Sequence, residues 1–103
     1  MIGVDRDALH VITRRKLLEA STRHPDLTGP LDLWYRLAKR AAWISLQDVR
    51  KDFPSADGAG KFTIFNIKGN HFRLIVEVNY GTGRIFIRHV LTHAEYSKGV
   101  WKS

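Results

Sequence analysis

The sequence predicts a single α+β domain in the order β-α-α-(α)-β-β-β, with two to three helices packed on one face of a mainly antiparallel twisted sheet. Three observations lead there. Apolar residues in the first half recur at helical spacing, whereas residues 61–91 alternate at strand spacing between glycine-bearing turns. The chain, 103 residues and 44% hydrophobic, is long enough for one core. It has no cysteine, so disulfides, a thiol nucleophile and thiolate metal sites are excluded.

Taking the elements in order, residues 1–7 lead into a short strand over Ala8–Ile12. Thr13 is placed to cap a helix running to about Arg23, which His24-Pro25 ends, because the residue before proline is pushed out of the helical region. A second helix begins at Thr28-Gly29-Pro30. Its Leu31, Trp34, Tyr35, Ala38 and Ala41 form one apolar stripe, and Arg36, Lys39 and Arg40 lie opposite. Ser45 with Asp48 resembles a capping box, predicting a short helix over Ser45–Lys51. Residues 53–60, rich in glycine, proline and small polar residues, read as a loop.

Three strands follow. Lys61–Ile67 is apolar on both faces, as a central strand would be. Lys68-Gly69-Asn70 turns the chain into His71–Tyr80, where Phe72, Leu74, Val76, Val78 and Tyr80 alternate with His71, Arg73, Glu77 and Asn79. Gly81-Thr82-Gly83 leads into Arg84–Leu91, and Thr92 with Glu95 forms a box-like pair opening a terminal helical turn. Pairing the apolar faces puts Tyr80 opposite Gly83, Arg73 opposite Val90 and Arg88 opposite Ile75. Both guanidinium groups then leave the face away from the helices, while His89 points awkwardly toward them.

Charge narrows the function. The formal net charge is +7, and residues 58–103 hold seven basic side chains against only Glu77 and Glu95. Such a balance favours a polyanion, with nucleic acid first. No apolar run is long enough for a membrane span, and the first residues lack the layout of a signal peptide, which suggests a soluble cytoplasmic protein. Two same-face arginines beside His93 and Tyr96, three residues apart on a helical turn, suit metal-free RNA cleavage. A base takes the ribose 2′-OH proton, cations neutralise the phosphorane, and an acid protonates the leaving 5′-oxygen. Carboxylates are too scarce here for a metal-dependent nuclease, so no cofactor is expected. Lys61, Lys68 and Arg84 are candidates for neighbouring phosphates, Trp101 for stacking on a base, and Asn66 and Asn70 for either RNA contact or the turn.

These residues sit in segments that resemble the HigB family of type II toxin–antitoxin toxins, within the RelE/ParE-like superfamily. The resemblance runs from His10-Val11-Ile12-Thr13-Arg14 through Phe53-Pro54-Ser55-Ala56-Asp57 to the segments Gly69-Asn70-His71-Phe72-Arg73-Leu74 and Arg88-His89-Val90-Leu91-Thr92-His93-Ala94-Glu95-Tyr96. Residues 1–7 have no clear counterpart and read as a variable extension or a start-codon choice. The resemblance implies a RelE-like fold and an mRNA endonuclease acting on ribosome-bound messages. It also implies a partner, a HigA-type helix-turn-helix antitoxin, with the toxin alone a monomer. By the same analogy Arg73 and Arg88 contact the scissile phosphate, His93 is acid or base, and Tyr96 is its partner or orienter. A non-catalytic ParE-like inhibitor of DNA gyrase and a basic nucleic-acid-binding accessory protein are the alternatives.

Overall fold

The computed structural model describes residues 10–102, so the expected extension at 1–7 and the start of the first strand at Ala8 lie outside the described residues. Strand β1 (His10–Ile12) leads into helices α1 (Arg15–Arg23) and α2 (Thr28–Arg40), joined by a 3-10 turn at Pro25–Leu27. Helix α3 (Leu46–Asp52) precedes strands β2 (Asp57–Ala59), β3 (Phe62–Ile67), β4 (Phe72–Asn79) and β5 (Arg84–Thr92). Helix α4 (His93–Ser97) and a 3-10 turn at Val100–Lys102 complete the described chain. The α+β, RelE-like order is as expected. The sheet runs β1-β5-β4-β3-β2, antiparallel except where β1 pairs with β5.

One strand was not anticipated. Asp57–Ala59, expected as loop, pairs with Ile64, Thr63 and Phe62. Asp, Gly and Ala have poor strand propensity, so nothing in their composition announces an edge strand. It is nevertheless what makes β3 a central strand, in accord with the apolar pattern on both faces of β3.

The helix side of the sheet carries the main core. Leu17, Leu31 and Trp34 from the helices meet Phe65, Leu74, Val76, Ile85 and Ile87 from the strands, all nearly inaccessible. Phe65 is the hub, edge-on to Trp34 at 5.4 Å and to Phe53 at 5.1 Å. The smaller cluster on the opposite face is Ile64, Ile75 and Trp101, flanked by Phe62, Leu91 and Tyr96. Among the described residues that face is covered by α4 and the final turn, and it carries the polar residues of interest.

The β4–β5 register follows expectation for half its length and then departs. Val76 pairs with Ile87, Glu77 with Phe86 and Asn79 with Arg84, in the expected phase. Between Ile75 and Val76 the register shifts, so that Ile75 pairs with His89 and Arg73 with Leu91, not Val90. Arg88 is the extra residue of a β-bulge. The shift reverses the inside and outside of the last part of β5. Val90 joins the main core and Leu91 the opposite cluster, the reverse of the expected faces. His89 shares the face of its partner Ile75, which removes the misplaced histidine of the unbulged register.

The N-terminal segment clamps the bulge. Thr13, expected as a helix cap, forms no cap; α1 starts after Arg14 without a side-chain capping bond. Instead the Thr13 hydroxyl accepts from the Ile87 N–H at 3.0 Å and donates to the Ile87 carbonyl at 3.0 Å. It thus continues the β1–β5 pairing by a side chain. Lys16 Nζ donates to the Arg88 carbonyl at 3.0 Å. Thr13 holds a positive φ of 65°, a costly conformation for a β-branched residue that these bonds sustain. At α3, Ser45 is likewise not a side-chain cap; Asp48 Oδ2 accepts from the Ile44 N–H at 3.0 Å.

Thr13→Val keeps the shape and leaves both Ile87 backbone groups without their partner. Urea unfolding should show a loss of about 1–3 kcal/mol. A change below about 0.5 kcal/mol would mean that water replaces the hydroxyl and the clamp is dispensable.

Candidate functional site

Arg73 is the buried charge around which the open face is organised. It is only 8% exposed, and four of its five N–H donors are taken by the chain. Nη1 donates to the carbonyls of Asn70 at 3.1 Å and Phe72 at 3.3 Å. Nη2 donates to Asn70 Oδ1 at 2.6 Å and to His93 Nδ1 at 3.3 Å. All four acceptors are neutral, and no carboxylate pairs with Arg73 among the described residues. A cation held this way keeps its charge for an incoming anion, at a cost to the fold.

The Arg73 contact also sets the state of His93. A guanidinium can only donate, so Nδ1 accepts and the neutral ring carries its proton on Nε2. The ring is exposed, with Nε2 left for a ligand. A backbone bond and a capping box fix its place. The His93 N–H donates to the His71 carbonyl at 2.9 Å, and the Thr92–Glu95 capping box starts α4 as expected. The box holds the Glu95 carboxyl below the usual range, because Oε1 accepts the Thr92 N–H at 2.9 Å. Glu95 is therefore spent on positioning.

Tyr96 lies beneath Arg73, with the guanidinium 5.1 Å from its ring centre, and stacks on Trp101 at 5.2 Å. Trp101, expected to stack on a base, is instead 5% exposed. Its Nε1 donates to the Tyr96 carbonyl at 2.9 Å, and its ring meets Phe62 edge-on at 5.6 Å. It supports Tyr96 from below and offers no free face of the kind base stacking needs.

Arg88 is on the same face but in a different company. Its Nε donates to Glu77 Oε1 at 3.0 Å, and Lys61 approaches the same oxygen at 3.7 Å. The structure thus brings together Arg73, Asn70, His93 and Tyr96, and separately Arg88, Lys61 and Glu77. Asn70, read from sequence as a contact or a turn residue, supplies two of the acceptors on Arg73. Asn66 pairs with Arg73 in the strand register and is exposed. Lys68 is tied to Asp26 and so is a less free cation than expected. Arg84 is exposed at the start of β5.

Sequence reasoning missed His89. It is half-buried on this face through the bulge, and its imidazole is held below the usual range, first by desolvation and then by Lys16 and Arg88. The one available signal was the awkwardness of a histidine pointing toward the core. Among the described residues, no three His, Asp or Glu side chains cluster closely enough to hold a metal ion.

Two predictions follow from this chemistry. Asn70→Asp places a carboxylate against Arg73; stability should rise by about 1 kcal/mol, and protection by added sulfate, read as a shift in Tm, should fall. An unchanged sulfate response would show that Arg73 does not govern anion binding. Glu95 has a lowered pKa in the folded protein, so its contribution is present above the unfolded value and is lost as pH falls through the folded one. Glu95→Gln should therefore cost about 0.5–1 kcal/mol at neutral pH and nothing in acid, where wild type and variant unfold alike.

Comparison with known proteins places the chain. The HigB toxin family, described as the RelE-like toxic component of a toxin–antitoxin system, matches residues 27–99. An mRNA interferase HigB of Escherichia coli O6:H1 is 28% identical over 93 residues, covering 87% of this chain and 90% of the relative. The mRNA interferase toxin HigB of Escherichia coli K12 is 28% identical over 91 residues, covering 85% and 88%. An mRNA interferase HigB of Shigella flexneri matches to the same extent. With most of its length matched, and with the fold and capped C-terminal turn described above, the chain belongs to the HigB family of RelE-like toxins.

Proposed function

We propose that this toxin is an mRNA interferase, a metal-independent endoribonuclease that cleaves messages on the ribosome and so arrests translation. The observation that carries this reading is Arg73, a buried guanidinium with no carboxylate against it among the described residues, bonded to the exposed His93. The names of the relatives support the substrate. Attack of a ribose 2′-oxygen on phosphorus displaces the 5′-oxygen and leaves a 2′,3′-cyclic phosphate. Arg73 stabilises the phosphorane, with Arg88 as a second cation along the strand. As Arg73 turns to the phosphate it releases His93 Nδ1, which takes up the 2′-hydroxyl proton, and the resulting imidazolium gives the proton on Nε2 to the leaving 5′-oxygen. Tyr96 orients both groups from below. Neither nearby carboxylate is free for a metal, since Glu77 is held by two cations and Glu95 by the capping box. The protein acts in the cytoplasm as a monomer until a HigA-type helix-turn-helix antitoxin binds it. Among the described residues no helix is long and apolar enough to cross a membrane.

The test is induction of the protein with mapping of mRNA 5′ ends. Wild type should yield cuts in phase with codons and cyclic-phosphate ends. Arg73→Ala and His93→Gln should each lower cleavage at least a hundredfold while the fold is kept. An SOS response with intact message would favour gyrase inhibition instead, and cleavage by both variants would overturn the site.

A further inference from the structure

At the end of the sheet far from His93 lies a cleft of about 510 Å³, which Leu46 and Tyr80 border from the helix side. Its floor is one row of the sheet, in which Phe62 of β3 pairs with Glu77 of β4 and Glu77 with Phe86 of β5. Both phenyl rings are partly exposed. Lys61 and Arg88 border the cleft, and both reach the same Glu77 oxygen. That arrangement leaves Glu77 Oε2 and the two terminal nitrogens of Arg88 without partners among the described residues. The cleft thus offers an acceptor beside fixed donors, between two aromatic rings, with two cations against one carboxylate.

We propose that this cleft holds an unpaired nucleobase of the RNA, two nucleotides from the phosphate at Arg73. The inference rests on the ribonuclease reading above and adds a second point of grip to it. Each of the four bases carries an N–H donor next to an acceptor on its pairing edge, which complements Glu77 Oε2 beside the Arg88 amino groups. The parts of the Phe62 and Phe86 rings left uncovered by Lys61 and Arg88, which lie over them at 5.3 and 5.1 Å, supply the apolar contact that a base seeks, as on other single-strand binding surfaces. The excess positive charge suits the phosphate joined to that base. Spacing agrees: Glu77 lies four residues along β4 from Arg73, about 13 Å at the usual strand rise, or two steps of an extended single strand. The ion pair gives the cleft its rigidity, since Arg88 also lies over the Phe86 ring, 5.1 Å from its centre. Arg88 therefore serves this base more directly than it serves the phosphate at Arg73.

The experiment uses the purified toxin and a 2′-O-methyl hexanucleotide, which has no free 2′-hydroxyl and is bound without being cut. Abasic residues are placed at each position in turn and the affinity is measured by fluorescence anisotropy. One position should lose about tenfold on removal of its base. In unmodified RNA that position should lie two nucleotides from the cleavage point. Phe86→Leu, which keeps the packing but removes the aromatic face, should lose about tenfold for the intact oligonucleotide and nothing further for that abasic one. Glu77→Gln should flatten the same position in the scan. A uniform scan, or a Phe86→Leu variant that behaves as wild type, would overturn the proposal. Because binding is read without cleavage, this result is separate from the Arg73 and His93 variants that judge the ribonuclease reading.

Discussion

The open face depends on a single extra residue in β5. Without the bulge at Arg88, Arg73 would stand opposite Val90 and the end of the strand would present Leu91 to the main core. With it, Val90 goes inward and Leu91 outward, and His93 reaches bonding distance of Arg73. A bulge is a local loss of ladder bonds and needs outside support. Here Thr13 and Lys16, more than seventy residues away in sequence, supply it through the Ile87 and Arg88 backbone. The first residues of the described chain therefore set the geometry of the last helix. This also explains why a threonine is held at positive φ: its hydroxyl is needed where a strand residue would otherwise be.

The two arginines illustrate how position on one face divides labour. Sequence spacing puts them together as equals, and both do leave the side away from the helices. Their surroundings then separate them. Arg88 has a carboxylate, an aromatic neighbour and partial exposure; its charge is mostly answered within the protein. Arg73 is buried among carbonyls, an amide and an imidazole, which orient it without neutralising it. An anion gains far more from the second environment than from the first, because screening and internal pairing both weaken an exposed, paired cation. The geometry of the donors matters as well as their charge, since exchange of His93 for a phosphate oxygen costs Arg73 one weak bond.

Much of this was legible in the residues themselves. Periodicity gave α1, α2 and the three long strands to within a residue or two, and Thr92 with Glu95 marked the final helix correctly. The tight turn after β3 was readable as well, where Lys68 and Gly69 both adopt positive φ. What escaped was governed by distant partners. Strand β2 is Asp-Gly-Ala, and only the edge of β3 makes it a strand. Thr13 looks like a cap because it precedes a helix; its bonds to Ile87 arise from tertiary packing. The bulge could not be read from alternation, because an inserted residue leaves both faces of β5 plausible. His89 carried the one hint, as a polar residue assigned to an apolar face.

Trp101 shows how the same logic reaches the site. A tryptophan near the end of a basic chain is an inviting platform for a base, yet the strand register forces another use. Ile64 and Ile75 face each other across β3 and β4 on the open side, and two large aliphatic side chains there need cover. Among the described residues, the C-terminal segment is the one that folds back over them, so Trp101 is drawn down and its N–H is satisfied by the Tyr96 carbonyl. Burying Trp101 lifts Tyr96 against Arg73, and the strand-end rings of Phe62 and Phe86 stay partly in contact with solvent, as Tyr96 does. The proposed base site lies there, apart from His93. The second, smaller core thus decides what supports the histidine and, for the proposed RNA path, where along the face the strand is gripped.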